Sequence, residues 1–408
     1  MSGATGAGPA ASSRSGPWAP LVATLALQTL ATMAAYSMPA AAPEVGRGLG
    51  VEPALVGVFI SCVYGVGMIS ALLSPSAIRR FGAARTGQFT VLATIAMLFA
   101  AGSGNLGLVA ASAVILGLGY GATAPVATHL IVPRTRPGQL NLILSIRQIG
   151  VPLGGTLAGL LVPPMVLYFG WPAALLVQVV PALALLLVMQ APRARWDADR
   201  SPSARLGLRG ALGPLRLLRT DRAVRNLTFA TFLYAGIQLC FIAFLVVHLT
   251  SGGVADLVRA GQALAVFQVS GVVSRPIWGV IADRWTGARV LLVLHGLIMA
   301  AATAAAGQFS PDWSFVAVLF VCAVAGTTAS GYTGIAYGEF ARIGGARRIE
   351  ATALGSAAMF LGVMVLPSLF GLAIAAGGGY PLAYGGAAAL ALAGAFALLA
   401  PRRPRPRP

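Results

Sequence analysis

Arg80-Phe81-Gly82-Ala83-Ala84-Arg85 recurs as Arg284-Trp285-Thr286-Gly287-Ala288-Arg289, with the leading arginines 284 − 80 = 204 residues apart in a chain of 408. Each copy follows one long apolar run and precedes another. A repeat at half the chain length points to two similar halves, as in transporters that rock two bundles about a central site. What surrounds the two copies decides what each half is.

Hydrophobic residues make up 57% of the chain and charged residues 9%, against about 25% charged in a soluble domain. Too little polar surface remains to face water. Apolar runs of about twenty residues, the length needed to cross a hydrocarbon core, recur along the chain. The predicted spans are 19–41, 53–77, 87–104, 107–131, 140–165 and 172–191, then 223–249, 260–282, 288–308, 313–338, 351–376 and 381–400. The fold class is therefore all-α and membrane-embedded, with twelve helices in two pseudo-symmetric six-helix bundles.

Charge tests that count. Cytoplasmic loops carry the excess of basic residues. The loops after even-numbered spans hold Arg79, Arg80 and Arg85; Arg134 and Arg136; Arg284 and Arg289; and Arg342, Arg347 and Arg348. Arg402, Arg403, Arg405 and Arg407 follow the last span, and nine more lie between Arg193 and Arg225. The opposite loops hold Arg47 and Arg259 beside Glu44, Glu52, Asp256 and Asp312. One span more or fewer scrambles the alternation. Both termini are expected in the cytoplasm and the chain in the plasma (inner) membrane. The expected division is a disordered tail 1–18, a bundle 19–191, a cytoplasmic linker 192–222 with a short surface helix, a bundle 223–400 and a tail 401–408.

The net charge of +18 does not indicate nucleic acid, because its arginines lie in short clusters between apolar runs rather than on one face. There is no lysine. Cys62, Cys240 and Cys322 each lie in an apolar run without ligand spacing, which suits buried thiols. Neither a metal-ligand constellation nor a nucleophile triad is present, so an enzyme and a cofactor are both unexpected.

The stretch Gly279-Val-Ile-Ala-Asp283-Arg284-Trp-Thr-Gly287-Ala-Arg289 resembles the loop motif of the major facilitator superfamily: Gly, three residues, Asp-Arg, then Gly and a basic residue. The resemblance implies the twelve-helix fold, a latch formed by Gly279, Asp283, Arg284 and Arg289, and a cavity lined by the first, fourth, seventh and tenth helices. In the first-half copy Arg79 stands for the expected Asp and Pro75 for the expected Gly. Gly117-Leu118-Gly119 is similar to a second family motif, with Ala113 where an arginine often sits. Gly150-Val151-Pro152-Leu153-Gly154-Gly155 is partly similar to the antiporter signature. These departures weigh against the usual proton-linked drug exporter.

Charge inside a span costs on the order of 2.5–3.5 kcal/mol, so such residues are the candidates for chemistry. Arg275 and Arg147 qualify, with Gln148 beside the latter, and no Asp or Glu is expected inside any span. A guanidinium without an acidic partner matches a carboxylate or oxyanion, and several anion-carrying members of the resembled family place an arginine on the eighth helix. The alternative is that both arginines cap helix carbonyls or snorkel to the interface. Polar stripes supply further candidates: Thr24, Gln28, Thr32 and Tyr36 on the first span, and Thr231, Tyr234 and Gln238 on the seventh. Tyr120, Thr123, Tyr332, Thr333 and Tyr337 add hydroxyls on the fourth and tenth. Ordinary interhelical hydrogen bonding explains them equally well. His129, His248 and His295 are expected as solvated interface residues, and Gly150, Gly154, Gly155 and Gly159 as close-packing positions.

The function expected is secondary transport of a small, anionic molecule such as a monocarboxylate, with a proton or ion as possible coupling partner. A monomer in the lipid bilayer is expected. The rival is an exporter of amphipathic or cationic drugs, which an acidic residue in the cavity would favour.

Overall fold

The structure, a computed structural model, describes residues 16–51, 56–204 and 208–399. Most of the expected tail 1–18, all of the tail 401–408, and Glu52 lie outside these residues.

Among the described residues, ten helical stretches are long and apolar enough to cross a bilayer. The last of them, Phe315–Leu399, has 85 residues, about 130 Å of helix at 1.5 Å per residue against a hydrocarbon core of about 30 Å. It must fold back, and it does so at Gly345 and at Gly377–Gly379, making three spans and twelve in all. In chain order these are α1 (Trp18–Ala40), α2 (Val56–Phe81), α3 (Ala83–Ala101) and α4 (Leu106–Tyr120 continuing through Thr123–Ile131). Next come α5 (Leu140–Gln148 and Gly150–Phe169), α6 (Trp171–Leu176 and Val179–Gln190), α7 (Arg222–Ser251) and α8 (Leu257–Ile281). The last four are α9 (Ala288–Ala306), α10 (Phe315–Ala325 and Thr333–Gly344), α11 (Arg348–Ala373) and α12 (Gly379–Leu399).

Two separate cores form. Leu27, Val126 and Met189 belong to one within α1–α6, and Phe241, Phe267 and Phe340 to one built mainly from α7–α12, which also takes in Ile131, Ile143 and Leu144 at the interface. The outer surface is apolar: Leu160, Tyr168, Phe320 and Leu372 are all exposed. Such a surface suits lipid rather than water. The molecule is a multi-pass membrane protein.

The repeated arginine stretches are not in loops, as expected, but at helix ends. One glycine separates α2 from α3, and one separates the helical turn after α8 from α9: Gly82 (φ 98°, ψ 160°) and Gly287 (φ 74°, ψ 149°). Both have a positive φ that a side chain resists. These hinges are 287 − 82 = 205 residues apart, one more than the arginine repeat. A π-turn over Ala282–Thr286 absorbs the extra residue, as a single-residue insertion in a helix does.

Three further expectations are corrected. The helix of α10 runs on to Gly344, so Glu339 lies inside it, buried, where its carboxylate accepts from Arg342 Nε (2.7 Å) and Nη2 (2.6 Å). His248 and His295 are buried rather than solvated, each bonded to a backbone carbonyl, Ala306 O and Leu291 O respectively. His129 meets Asp199 of the linker at 2.9 Å. Gly154 packs directly on Thr29 of α1, whereas Gly155 and Gly159 face open space.

The linker between the bundles carries the expected helix, Leu208–Thr220, and also a docking element. Trp196 is buried, and Asp197 accepts from Ala84 N (2.7 Å) and Arg85 N (3.2 Å) at the start of α3. Burial raises the Asp197 carboxyl above its usual range, against the lowering effect of those two N–H donors.

The bundles are tied together at the end that carries this linker. Asp283 accepts from Asn141 N (3.1 Å), Asn141 Nδ2 (2.7 Å) and Leu142 N (2.9 Å). It thus caps the first turn of α5 in the opposite bundle, where free N–H groups and the helix dipole favour a negative charge. Gly279 lets α8 close on α5: a Cβ there would lie 2.6 Å from Leu142 Cα. On the pseudo-symmetric side, Arg79 of α2 pairs with Glu350 in the first turn of α11.

Candidate substrate-binding site

Two arginines from opposite bundles meet at Gln148. Arg147 sits in the first half of α5, about one turn before Pro152. Its Nη1 donates to Gln148 Oε1, and its Nη2 donates to Gln28 Oε1 at 2.9 Å. Arg275, on α8, donates from Nη1 to Gln148 O (2.9 Å), from Nε to Ser330 O (3.1 Å) and from Nη2 to Ser330 Oγ (3.1 Å). Both of its carbonyl acceptors lie at helix irregularities: Gln148 O, whose helical partner four residues on is Pro152 and has no N–H, and Ser330 O in the π-turn Gly326–Ser330 of α10.

Each arginine is 2% exposed, so neither faces an open cavity as expected. Both are sealed into the interface between the bundles. Among the described residues, no carboxylate lies within ion-pair distance of either. An uncompensated buried charge costs several kcal/mol, and two of like sign add their repulsion. Arginine offers five N–H donors. Arg275 uses three here and Arg147 two, and Arg147 Nε has no partner. The hydroxyls of Ser145, Tyr332 and Thr333 are also buried without a partner.

The polar stripe of α1 joins this centre in part. Gln28 Nε2 donates to Thr32 Oγ1 (3.0 Å) and to Tyr120 OH (3.2 Å), and Thr32 and Tyr120 share a hydrogen bond of 3.0 Å. Tyr36 OH lies 3.3 Å from Tyr64 OH, one helical turn further from the linker end. On the other bundle Gln238 Nε2 donates to Ser330 Oγ (3.2 Å). Tyr332 packs edge-on against Tyr234, their ring centroids 5.5 Å apart.

Tyr234 itself does not join the site. It is buried among α7, α9 and α12, where its hydroxyl donates to Leu292 O (3.2 Å) and its ring lies against Gly296 and Gly394. Thr24 and Thr231 bond backward to their own helices. Ser330, Ser145 and Asn141 escaped the sequence reading. A serine in an apolar run carries no signal until the π-turn of α10 sets it against Arg275.

Sequence comparison decides the family of this architecture. The family model described as Major Facilitator Superfamily matches residues 24–342 and, in a second match, 260–408. The chain belongs to the major facilitator superfamily. The fucose:proton symporter FucP of E. coli has a similar structure, with a TM-score of 0.72 at 13% identity, covering 93% of this chain and 98% of that one. The proton:xylose symporter XylE, bound to 6-bromo-6-deoxy-D-glucose, gives 0.69 at 14%, covering 92% and 94%. The human organic anion transporter MFSD10 (TETRAN) gives 0.65 at 18%, covering 93% and 99%. At such identities the likeness is one of fold. No curated protein matches the sequence.

Within the superfamily fold, the four residues expected to latch the bundles divide. Asp283 and Gly279 stand at the contact with α5, as described. Arg284 is exposed. Arg289 works inside its own bundle, donating from Nε to Leu398 O (2.7 Å) at the end of α12.

Proposed function

We propose that this superfamily member is a secondary transporter that moves a small anion by alternating access. The units that rock are the bundles 19–191 and 223–400. One observation carries the reading: two buried guanidiniums from opposite bundles converge on Gln148 without a carboxylate between them. A bound anion supplies the missing charge and accepts from the donors that Arg147 Nε, Ser145, Tyr332 and Thr333 leave unused. Because Arg147 and Arg275 sit on opposite bundles, an anion held by both also favours the closed arrangement. Differential affinity of that kind is what a ligand needs in order to shift a two-state equilibrium.

The contacts of Asp283 and Arg79 then belong to the state closed on the linker side. That side faces the cytoplasm in this reading, since the arginine-rich helix ends gather there. The relatives named as proton symporters make a proton the favoured coupling ion. Sealed right-side-out cells should label a cysteine placed at Gly104 but not one at Ser203; the reverse pattern overturns the orientation.

The test of substrate class is a thermal-shift screen of the purified protein against small carboxylates, inorganic oxyanions and cationic amphiphiles. A ligand that binds only the folded state raises its apparent stability, by about 2.7 kcal/mol at a hundredfold excess over Kd. Stabilisation by anions alone supports the reading. Stabilisation by cations and not by anions replaces it with drug export.

A further inference from the structure

A third apolar cluster lies across the interface and borders the two larger ones through Ile60 and Val363. It consists of Ala31, Tyr64 and Tyr120 from the first bundle with Phe360, Val363 and Met364 from the second, and Ile60 beside them. Three rings form its centre. Tyr64 and Tyr120 meet edge-on with centroids 6.0 Å apart, and Phe360 is tilted against them at 5.5 Å and 5.8 Å. No two of the three are stacked face to face. Tyr36, Ile60, Phe360, Val363 and Met364 are only half-buried, so the cluster is open at its edge.

Tyr120 belongs to two environments at once. Its hydroxyl is part of the Gln28–Thr32 network, and Gln28 accepts from Arg147. Its ring is part of the aromatic cluster. Two hydrogen bonds therefore separate a buried guanidinium from an aromatic face. A ligand whose charged group reaches the arginines has its remaining atoms placed against Tyr120, Tyr64 and Phe360. An inorganic oxyanion leaves that surface unused, and a neutral sugar leaves the two buried guanidiniums without a counter-charge.

We infer that the substrate is an amphipathic carboxylate, with its anionic head at Arg147 and Arg275 and a flat apolar body against the Tyr64–Tyr120–Phe360 rings. The inference rests on the anion reading above and narrows it to a substrate class. Aromatic side chains favour edge or offset packing with another ring. Phe360 rides on α11 while the two tyrosines ride on α2 and α4, so the rings separate when the bundles rock. Phe360 is thus the specificity-determining residue: it contacts the apolar body in one state and withdraws in the other.

The experiment measures binding of benzoate, acetate, inorganic phosphate and benzyl alcohol to the purified full chain by calorimetry. Benzoate should bind about tenfold or more tighter than acetate, the difference expected from one good aromatic contact, with phosphate weaker than benzoate. In Phe360→Leu, which keeps an apolar side chain and removes the ring, the benzoate-to-acetate ratio should fall toward one. Phe360→Ala should do the same, and agreement of the two variants excludes a packing defect as the cause. Equal affinity for benzoate and acetate in the parent protein overturns this inference and leaves the anion reading standing. Binding of phosphate without benzoate or acetate likewise overturns this inference alone, whereas no binding of any of the three anions, with or without binding of benzyl alcohol, overturns the anion reading itself.

Discussion

Arg275 Nη1 donates to the backbone carbonyl of Gln148 at 2.9 Å, so an arginine of the second bundle satisfies the carbonyl of α5 that Pro152 leaves without its helical donor. The same residue's side chain accepts from Arg147. One glutamine thus receives two positive charges that no acid among the described residues neutralises. This joins the fold to the proposed transport cycle, in which an anion relieves that imbalance only while both arginines face it.

Asp283 holds the linker side shut by capping a helix that is not its own. Asp283→Asn keeps the shape but replaces one accepting oxygen with an amide that cannot accept, and it removes the charge that the α5 terminus favours. The closed state should lose about 1–2 kcal/mol, a five- to thirtyfold change in population. Expression should stay near normal while transport falls. Distances between spin labels on the linker-side ends of α5 and α8 measure the shift. Unchanged distances and rates would show that the cap is not a latch.

The companion contact has its charges reversed. Where the second bundle offers a carboxylate to a helix terminus, the first offers Arg79 to Glu350. Arg79 is 43% exposed, so the pair contributes only about 0.2–1 kcal/mol and weakens in salt. Arg79→Glu should open the α2–α11 contact, and Arg79→Glu with Glu350→Arg should restore it. A double-mutant cycle on the α2–α11 label distance, at low and high salt, reads this directly. A cycle with no coupling term at low salt removes Arg79 from the gate.

Much of this architecture was legible in the residues because it follows from solvent. Apolar length fixes a span, and arginine placement fixes the alternation of loops. The hinges were not legible in the same way. Arg79, Arg80, Asp283 and Arg284 look like loop residues by charge, yet helices extend past the apolar run and turn on a single glycine. Glu339 was misplaced for the same reason, since counting apolar residues ends the tenth span at 338 while the backbone continues to Gly344. At the candidate site, Arg147, Gln148, Gln28 and Arg275 announced themselves as polar groups in apolar runs. Phe360 and Tyr64 did not, because an aromatic residue is ordinary in a membrane helix until its partners across the interface are known. Tyr234 shared the stripe but not the site, because helical spacing places a residue on a face without fixing which bundle surface that face meets.

Glu339 is the buried carboxylate that most resembles a proton carrier, so its role needs separating from that of a structural ion pair. Both of its oxygens accept from Arg342, whose side chain is half-exposed. Glu339→Gln should therefore cost about 0.5–1 kcal/mol after discounting for that exposure, seen as a small drop in melting temperature. Transport should survive, because in the proposed cycle the anion and not this carboxylate carries the compensating charge. Loss of proton-driven uptake at an unchanged melting temperature would make Glu339 the coupling group.

The substitutions at Arg275 separate a binding residue from a carbonyl cap, because the two roles predict opposite trends. If Arg275 binds the substrate, Arg275→Lys keeps the charge but loses the planar fork, so anion affinity should fall about tenfold while transport persists at a reduced level. Arg275→Gln removes the charge as well, and anion-dependent stabilisation should largely disappear. The ligand-free protein should melt no lower, and higher if relief of buried positive charge outweighs the hydrogen bonds to Gln148 O and Ser330. A residue that only caps carbonyls gives the reverse pattern: Arg275→Gln lowers the melting temperature of the free protein by leaving two buried carbonyls short of a donor. Anion binding per folded molecule is then preserved. Melting curves with and without a carboxylate, for the parent and both variants, distinguish these outcomes in one data set. Intact anion binding in Arg275→Gln, together with a lowered melting temperature, would leave Arg147 as the sole candidate and remove the reason for an anion to draw the bundles together.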